Sequence, residues 1–277
     1  MLRRKLLVNA LKYAILLILL VTALFPVYWM LNTSLKTNNE IYRSIPTFFP
    51  ELPSLDAYRE LLYGTNFLQS AWNSFTIAMV VSVVSVFFSA LASYAISRTN
   101  MRGAKAISRG ILYTYLMPAS LIFIPIYMLV NRLGIPRNQV GLMIIYPTHT
   151  IPYAMWMLIA YFRTVPREIE ESAFVDGCGY LRCMFQIFFP LTIPGIVSTL
   201  IFSFTLSWNE YMYALVIVSD STAKTFPLML TDFMVDDTYA WGPLMAGSVL
   251  ACVPILLIYT VFSRFVTGGL VAGSVKM

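Results

Sequence analysis

Long apolar runs separated by polar stretches dominate this chain of 277 residues. Six runs are long enough to cross a bilayer, which takes about 20 apolar residues in a helix. In hydrocarbon every backbone N–H and C=O must be paired within the segment, so these runs are predicted to be helices rather than barrel strands. The predicted spans are Tyr13–Leu31, Ser70–Ser97, Ile107–Val130, Val140–Phe162, Leu191–Val218 and Gly242–Val266. The pattern predicts an all-α, multi-pass membrane protein with one transmembrane domain over residues 1–277.

Two polar segments between the spans are unusually long. Residues 32–69 contain Pro46, Pro50 and Pro53 and a short helical pattern at Leu55–Leu62, and we interpret them as an extracytoplasmic loop that forms a partner surface or a cap. Residues 163–190 form the other long segment, on the opposite side of the membrane.

Composition and charge support the membrane assignment. The chain is 58% hydrophobic and only 12% charged, with a mean hydropathy of +0.73, whereas soluble domains are about a quarter charged. The net charge of +6 does not indicate nucleic acid, because no basic face with interleaved aromatic residues occurs. If the N-terminus lies inside, most of the 19 lysines and arginines fall on the inner side, which predicts cytoplasmic termini.

The first apolar run and the few metal-binding residue types leave two smaller questions. Residues 1–23 could pass as a signal peptide, but the apolar run continues to Leu31, so we predict an uncleaved first helix.

Three cysteines cannot form a closed disulfide set, and the single histidine, His149, leaves no plausible ligand set for zinc. No metal site is expected.

The most informative stretch is residues 163–190. Pro166 suits the first turn of a helix, where the following glutamates are also favoured. Gly177 can take positive φ and end that helix, and Gly179 can begin a second one. The prediction is a helix–turn–helix on the cytoplasmic face that does not cross the membrane. Physical reasoning leaves two interpretations open: a bracket that docks in a soluble partner, or a plain amphipathic connector.

This stretch resembles the EAA loop of ABC importer permeases, whose pattern is Glu-Ala-Ala, three residues, Gly, nine residues and Ile-x-Leu-Pro. The chain has Glu171-Ser172-Ala173, then Gly177, then Ile187-Phe188-Phe189-Pro190, with the same spacing throughout. Only Ser172 and Phe189 depart from the pattern, and Asp176 matches the usual Asp before the glycine.

The resemblance extends from about Phe25 to the C-terminus and indicates the carbohydrate or maltose-type family of these permeases. Residues 208–210 resemble the family's Trp-Asn-Glu/Asp block. Residues 269–277 are similar to the tail of the smaller maltose permease subunit, with departures at Val271, Ser274 and Met277.

The resemblance implies a type I ABC importer permease fold with six transmembrane helices in a bacterial or archaeal inner or plasma membrane. It implies a heterodimer with a second permease, an ATPase homodimer that binds ATP and magnesium, an extracytoplasmic solute-binding protein, and import of a sugar or related polyhydroxy solute. This chain has no Gly-x4-Gly-Lys-Ser/Thr motif, so we expect no cofactor and no catalytic residue in it.

Site residues are implied by the same resemblance. The residues expected to couple to the ATPase are Glu170, Glu171, Ser172, Ala173, Asp176, Gly177, Ile187 and Pro190. The tail residues expected to face the ATPase are Gly273, Ser274, Val275 and Lys276.

Polar residues in or near the spans are candidates for the translocation pathway. They are Asn73, Ser74, Trp208, Asn209 and Glu210. A charge in hydrocarbon is costly, and Glu210 is therefore expected to face a cavity or a partner. The alternative is a structural polar cluster that holds helices together.

Two other function classes fit less well. An ion-coupled secondary carrier usually shows intramembrane ionisable relays and repeated halves, neither of which is evident here. An intramembrane enzyme would need a zinc site or paired aspartates that this chain lacks.

Overall fold

Helices form nearly all of the regular structure in the computed structural model, which describes residues 2–99, 101–235 and 238–274. The α-helices are α1 (Leu2–Ser34), α2 (Asn38–Ile41), α3 (Asp56–Gly64), α4 (Phe67–Arg98), α5 (Ala104–Leu116), α6 (Ala119–Leu133), α7 (Gln139–Ile145), α8 (Pro147–Phe162), α9 (Glu168–Val175), α10 (Tyr180–Cys183), α11 (Phe189–Trp208), α12 (Met212–Ile217), α13 (Phe226–Leu230) and α14 (Trp241–Ser274). A π turn covers Met184–Phe188, 3₁₀ turns cover Ser221–Ala223 and Thr231–Phe233, and β1 (Met234–Val235) pairs antiparallel with β2 (Thr238–Tyr239).

Five helices in the described part of the chain are long and apolar enough to cross a membrane, and a bent helix pair makes a possible sixth span. The five are Asn9–Ser34, Phe67–Arg98, Gln139–Phe162, Tyr180–Trp208 and Trp241–Phe262. The prediction of an all-α, multi-pass membrane protein is confirmed. The orientation of the termini stays a prediction.

The third predicted span, Ile107–Val130, is not one straight helix. It is broken into α5 and α6, whose axes differ by 97°. Met117 and Pro118 between them have extended backbones, with ψ values of 131° and 125°. A residue before proline is pushed out of the α region by the proline ring, and the proline offers no N–H to the helix. The break therefore follows from this one dipeptide.

The fifth predicted span ends earlier than Val218. Helix α11 stops at Trp208, and a separate helix, α12, starts at Met212. The Glu210 carboxylate accepts hydrogen bonds from the backbone N–H groups of Tyr213, at 3.0 Å, and Ala214, at 3.3 Å. The N–H groups in the first turn of a helix have no carbonyl partner within that helix. By accepting hydrogen bonds from two of them, the Glu210 carboxylate stabilises the start of α12.

The chain divides into two compact units, and the first comprises Met1–Phe67 and Leu230–Val253. Its loop after α1 is ordered around the buried side chain of Glu40. The Glu40 carboxylate accepts hydrogen bonds from the Thr47 hydroxyl and the Glu51 N–H, while the Lys36 ammonium donates to the Thr47 carbonyl and lies 5.1 Å from the Trp29 ring centre. The hydrogen bond from Thr47 holds the pKa of Glu40 below its usual value.

The second unit comprises Leu68–Met229 and Pro254–Met277, and a stripe of buried serines on α4 faces α8 within it. The Ser85 hydroxyl lies 2.7 Å from the Thr150 hydroxyl, and the Ser89 and Ser93 hydroxyls donate to carbonyls of α8. Small residues of this kind allow membrane helices to approach closely. Gly195 of α11 likewise packs against the Tyr161 ring of α8, where a Cβ would come within 2.3 Å of a ring carbon. These contacts fix the helices that carry the 163–190 segment.

Candidate functional site

The segment at residues 163–190, called the coupling bracket from here on, turns sharply at Gly177. Its φ is +80°, in the left-handed region that favours glycine. The Gly177 N–H donates to the Phe174 carbonyl at 3.1 Å, and the Cys178 N–H donates to the Ala173 carbonyl at 2.9 Å. This bond pair is the Schellman motif, which caps the free carbonyls of α9. The prediction that Gly177 ends the first helix is confirmed.

The second arm of the bracket differs from the prediction. The prediction is a second helix on the cytoplasmic face, with residues 187–190 leading into a fifth span that starts at Leu191. In the structure α10, the π turn and α11 follow one another directly and together form the candidate span Tyr180–Trp208. Pro190 lies in the first turn of α11, where its missing N–H and its ring prevent a normal bond to the carbonyl four residues earlier. A wider π turn just before it accommodates this mismatch. The bracket is therefore attached directly to a spanning helix.

The outer surface of the bracket combines acidic and apolar side chains. Glu171, Ser172 and Asp176 are exposed, and the Val175 side chain beside them is 88% exposed. A hollow between the two arms is lined by Ser172, Ala173, Asp176, Cys178, Arg182, Gln186 and both Ile169 and Ile187. Of the predicted coupling residues, Ala173 and Glu170 are buried, Ile187 is half-buried and Pro190 is exposed. The mixture of apolar area and negative charge is suited to contact with a protein partner.

Glu170 points inward and forms a buried anchor with Arg98 and Tyr94 of α4. The Arg98 Nε lies 3.3 Å from Oε2 of Glu170, and the two side chains are only 3% and 7% exposed. The Tyr94 hydroxyl donates to Oε1 of Glu170 at 2.9 Å. The carboxylate thus meets one full charge and one hydroxyl donor, which compensates for its removal from water.

Arg98 also binds two backbone carbonyls beyond α4. Its Nη2 donates to the carbonyls of Phe162 and Val165, both at 2.6 Å. Phe162 is the last residue of α8, so its carbonyl has no partner within that helix. The guanidinium lies 4.7 Å from the centre of the Phe188 ring, in the π turn before α11. One side chain therefore connects α4, the end of α8, the bracket helix α9 and the turn that leads into α11.

The sequence analysis missed this anchor. Arg98 contributed only to the count of basic residues near membrane ends, and Glu170 was grouped with the coupling residues because it precedes Glu171. No spacing rule links a residue at the end of one span to a glutamate 72 positions later.

The candidate pathway residues Asn73 and Ser74 hold a distant segment of the same unit against α4. The Asn73 Nδ2 donates to the carbonyls of Thr222, at 2.8 Å, and Lys224, at 3.0 Å. The Ser74 hydroxyl accepts from the Phe226 N–H at 2.8 Å. Both side chains are buried, and these contacts match the structural alternative; a role in the pathway stays a prediction.

The remaining pathway candidates differ in burial and in the contacts that they make. Trp208 is buried with its ring 5.8 Å from Phe204 and 4.6 Å from Phe226. Asn209 is exposed and donates to the Thr205 carbonyl, and Glu210 caps α12 as described.

In the predicted tail, Gly273 and Ser274 fall in the last turn of α14, while Val275 and Lys276 lie outside the described residues. Contact of this tail with an ATPase stays a prediction.

Helices long enough to span a membrane, joined to a helical bracket with an exposed acidic and apolar surface, define a multi-pass membrane component. Residues 86–270 match the family described as "Binding-protein-dependent transport system inner membrane component". The chain therefore belongs to this family of transport permeases. This match confirms the family that residues 171–190 indicate. It favours a transport permease over the two other classes, an ion-coupled secondary carrier and an intramembrane enzyme.

Full-length relatives agree with this assignment. The inner membrane ABC transporter permease protein YcjP of Escherichia coli (strain K12) is 34% identical over 95% of each chain. The trehalose/maltose transport system permease protein MalG of Thermococcus litoralis is 29% identical over 92% of each chain. A crystal structure of a bacterial ABC transporter involved in the import of the acidic polysaccharide alginate contains a chain with the same fold, at a TM-score of 0.80 and 21% identity, covering 95% of this chain and 98% of that one.

Proposed function

We propose that this chain is one of two permease subunits of an ATP-driven, binding-protein-dependent importer for a sugar or related polyhydroxy solute. In this proposal the second permease completes the pathway, an ATPase dimer carries ATP and magnesium, and a solute-binding protein delivers the substrate outside an inner or plasma membrane. The coupling bracket contacts one ATPase subunit.

The observation that carries the proposal is the attachment of the bracket to spanning helices. Its outer surface presents Glu171, Asp176 and exposed apolar area, while its inner side is tied to α4 and α8 through Glu170 and Arg98. Its second arm continues into α11. A displacement applied to the exposed turn would therefore be transmitted to these helices rather than absorbed in a flexible loop, as a coupling element requires.

The substrate class rests on the relatives rather than on a binding site in this chain. The Thermococcus litoralis relative is named for trehalose and maltose transport, and the similarity covers nearly the whole of both chains. A carbohydrate substrate is therefore the proposal for this protein. Specificity among sugars is assigned to the binding protein and the second permease.

The proposal is tested by purifying the full chain with its co-expressed neighbours and measuring uptake into proteoliposomes. We expect an ATPase and a second permease to co-purify, and sugar uptake to require ATP and the binding protein. Glu171→Lys should abolish ATP-driven uptake, because it reverses a charge on the exposed surface. Glu168→Lys makes the same charge change in the same helical turn outside the matched motif, and should retain most of the uptake.

Two results would contradict this proposal. The first is uptake driven by a proton or sodium gradient in vesicles without nucleotide. The second is an equal loss of uptake in Glu168→Lys and Glu171→Lys with the complex still intact, since the exposed pattern residues would then have no special role.

A further inference from the structure

A recess lined by basic groups lies between the end of α4, the start of α5 and the segment that follows α8. Its lining includes Arg98, Lys105, Arg163 and Arg167, together with Gly103 and Ala104 at the start of α5. Among the residues that the structure describes, no acidic side chain contributes to this lining. The recess therefore concentrates positive potential at one place.

Three of these cations have no partner within the described part of the chain. Arg98 is engaged by Glu170, but Lys105, Arg163 and Arg167 make no ion pair or side-chain hydrogen bond with any described residue. The start of α5 adds to the positive potential, because its N-cap is Gly103, without a side-chain cap, and its first turn contains no acidic residue. The free N–H groups of a helix start favour an anion.

The position of the recess along the membrane helices suits a lipid headgroup. The spanning helix α4 ends at Arg98, and the next membrane segment starts at Ala104. The lining residues lie in and beside this connection, where the ends of the apolar helices predict the boundary between hydrocarbon and water. Basic pockets between membrane helices at this level are suited to anionic headgroups.

A second hollow borders the recess along the membrane helices. It shares Arg163 with the recess and is otherwise lined by Ser108, Arg109, Leu112, Trp156, Ile159 and Ala160, between α5 and α8. Leu112, Trp156, Ile159 and Ala160 give this track an apolar wall, and Trp156 is 42% exposed. A basic recess with an apolar track beside it fits a phosphate that carries an acyl chain. An acidic protein segment could contact the basic recess, but it would have no apolar chain to place in the track.

We propose that this recess binds the phosphate of an anionic phospholipid, with one acyl chain in the track beside Trp156. The site is separate from the exposed surface assigned to the ATPase, and the inference does not depend on the identity of the solute. Because Arg98 also anchors the bracket, a bound lipid would lie directly beside the coupling element.

The test uses the full chain, purified with the subunits it retains, and native mass spectrometry with phosphatidylglycerol as the probe. The variant Lys105→Gln/Arg163→Gln/Arg167→Gln should bind phosphatidylglycerol about a hundredfold more weakly, since each cation contributes about 1 kcal/mol near a lipid surface. The control Lys12→Gln/Arg102→Gln/Arg132→Gln changes the same net charge at exposed positions outside the recess and should bind normally. Phosphatidylcholine should bind weakly to all three proteins.

Separate measurements distinguish the source of the phosphate. Inorganic phosphate, used as a competitor at millimolar concentration, should displace little phosphatidylglycerol, because it cannot occupy the track. Trp156→Ala should weaken phosphatidylglycerol binding but leave any phosphate binding unchanged. The proposal is overturned if the recess variant and its control bind phosphatidylglycerol equally, if phosphate competes as well as the lipid does, or if the purified ATPase displaces the lipid and crosslinks to position 163.

Discussion

The two ends of α4 both hold a distant segment of the chain, but they use different chemistry. At its start, Asn73 and Ser74 bind the backbone around residues 222–226 through neutral hydrogen bonds. At its other end, Arg98 and Tyr94 bind the coupling bracket through a buried ion pair with Glu170. A neutral contact that is lost leaves an unpaired dipole, whereas a broken buried ion pair leaves an unpaired charge, which costs much more. The bracket end is therefore the one where a single substitution has the larger consequence.

The largest effect is expected when one charge of this anchor is removed. Arg98→Met should lower the free energy of unfolding by about 3–5 kcal/mol, because the Glu170 carboxylate stays buried without its cation. The double variant Arg98→Met/Glu170→Met should recover part of that loss, since neither charge remains, although the carbonyls of Phe162 and Val165 still lose their donor. Denaturation of the detergent-solubilised protein measures both. A double variant that is no more stable than Arg98→Met would show that the two ends of α4 do not differ in this way.

The neutral end should respond less to the loss of its main contact. Asn73→Ala removes the donor to two backbone carbonyls and should cost about 1–3 kcal/mol. The same denaturation assay measures it, with Thr76→Ala as a control because Thr76 lies half-buried on the same helix and its hydroxyl donates to the carbonyl of Trp72 in that helix. If Asn73→Ala were as destabilising as Arg98→Met, the comparison between charged and neutral contacts would fail.

Substitutions at the Gly177 turn test the rigidity of the bracket itself, independently of the ion pair that anchors it to α4. Gly177→Ser forces a side chain into left-handed backbone and should cost about 1–2 kcal/mol, although no neighbouring atom obstructs the Cβ. Gly179→Ser is the matched control, because Gly179 has a φ of −75° at an N-cap, where serine is favoured. Hydrogen exchange of the Cys178 amide should increase only in Gly177→Ser. Equal exchange in both variants would mean that positive φ does not determine this turn.

The smallest effect is expected at Glu40, a buried carboxylate that receives its hydrogen bonds from neutral groups. Its folded-state pKa is lowered, so its contribution to stability is complete above its usual pKa of 4.5 and is lost as the pH falls through the lowered value. Trp29 fluorescence, which senses the Lys36 contact, should therefore change below about pH 4.5 in the wild type. Glu40→Gln should remove that change; a change that persists would assign the titration to another group.

The sequence predicted those parts of the fold that depend on local chemistry. Apolar runs locate the spanning helices, and Gly177 marks the end of α9, because both depend on neighbouring residues along the chain. The break at Pro118 is also locally encoded, but length and hydropathy alone predict one continuous span there. The sequence does not indicate the π turn through which the bracket's second arm runs into α11, because its wider winding depends on how Pro190 is accommodated.

The anchor and the contacts of Asn73 depend on tertiary packing instead. Arg98 meets Glu170 only because α4, α8 and α11 pack together, and no periodicity in one segment reports on that packing. Family resemblance located the bracket correctly, but it grouped the inward-facing Glu170 with the exposed Glu171. Neighbouring residues are separated by about 100° around the helix axis. Motif spacing alone does not show which of the two faces the protein interior and which faces solvent.

The π turn at Met184–Phe188 has a consequence for the direction in which the bracket points. A π turn contains one more residue than the α turn it replaces, and each residue of an α-helix advances the chain by about 100° around the axis. The extra residue is absorbed in this wider turn, so the sequence register along the helix shifts by one position while the direction of the Gly177 corner is kept. Deleting one residue of the turn should therefore leave the corner nearly in place, whereas deleting one residue from the regular part of α11 should swing it by about 100° around the helix axis.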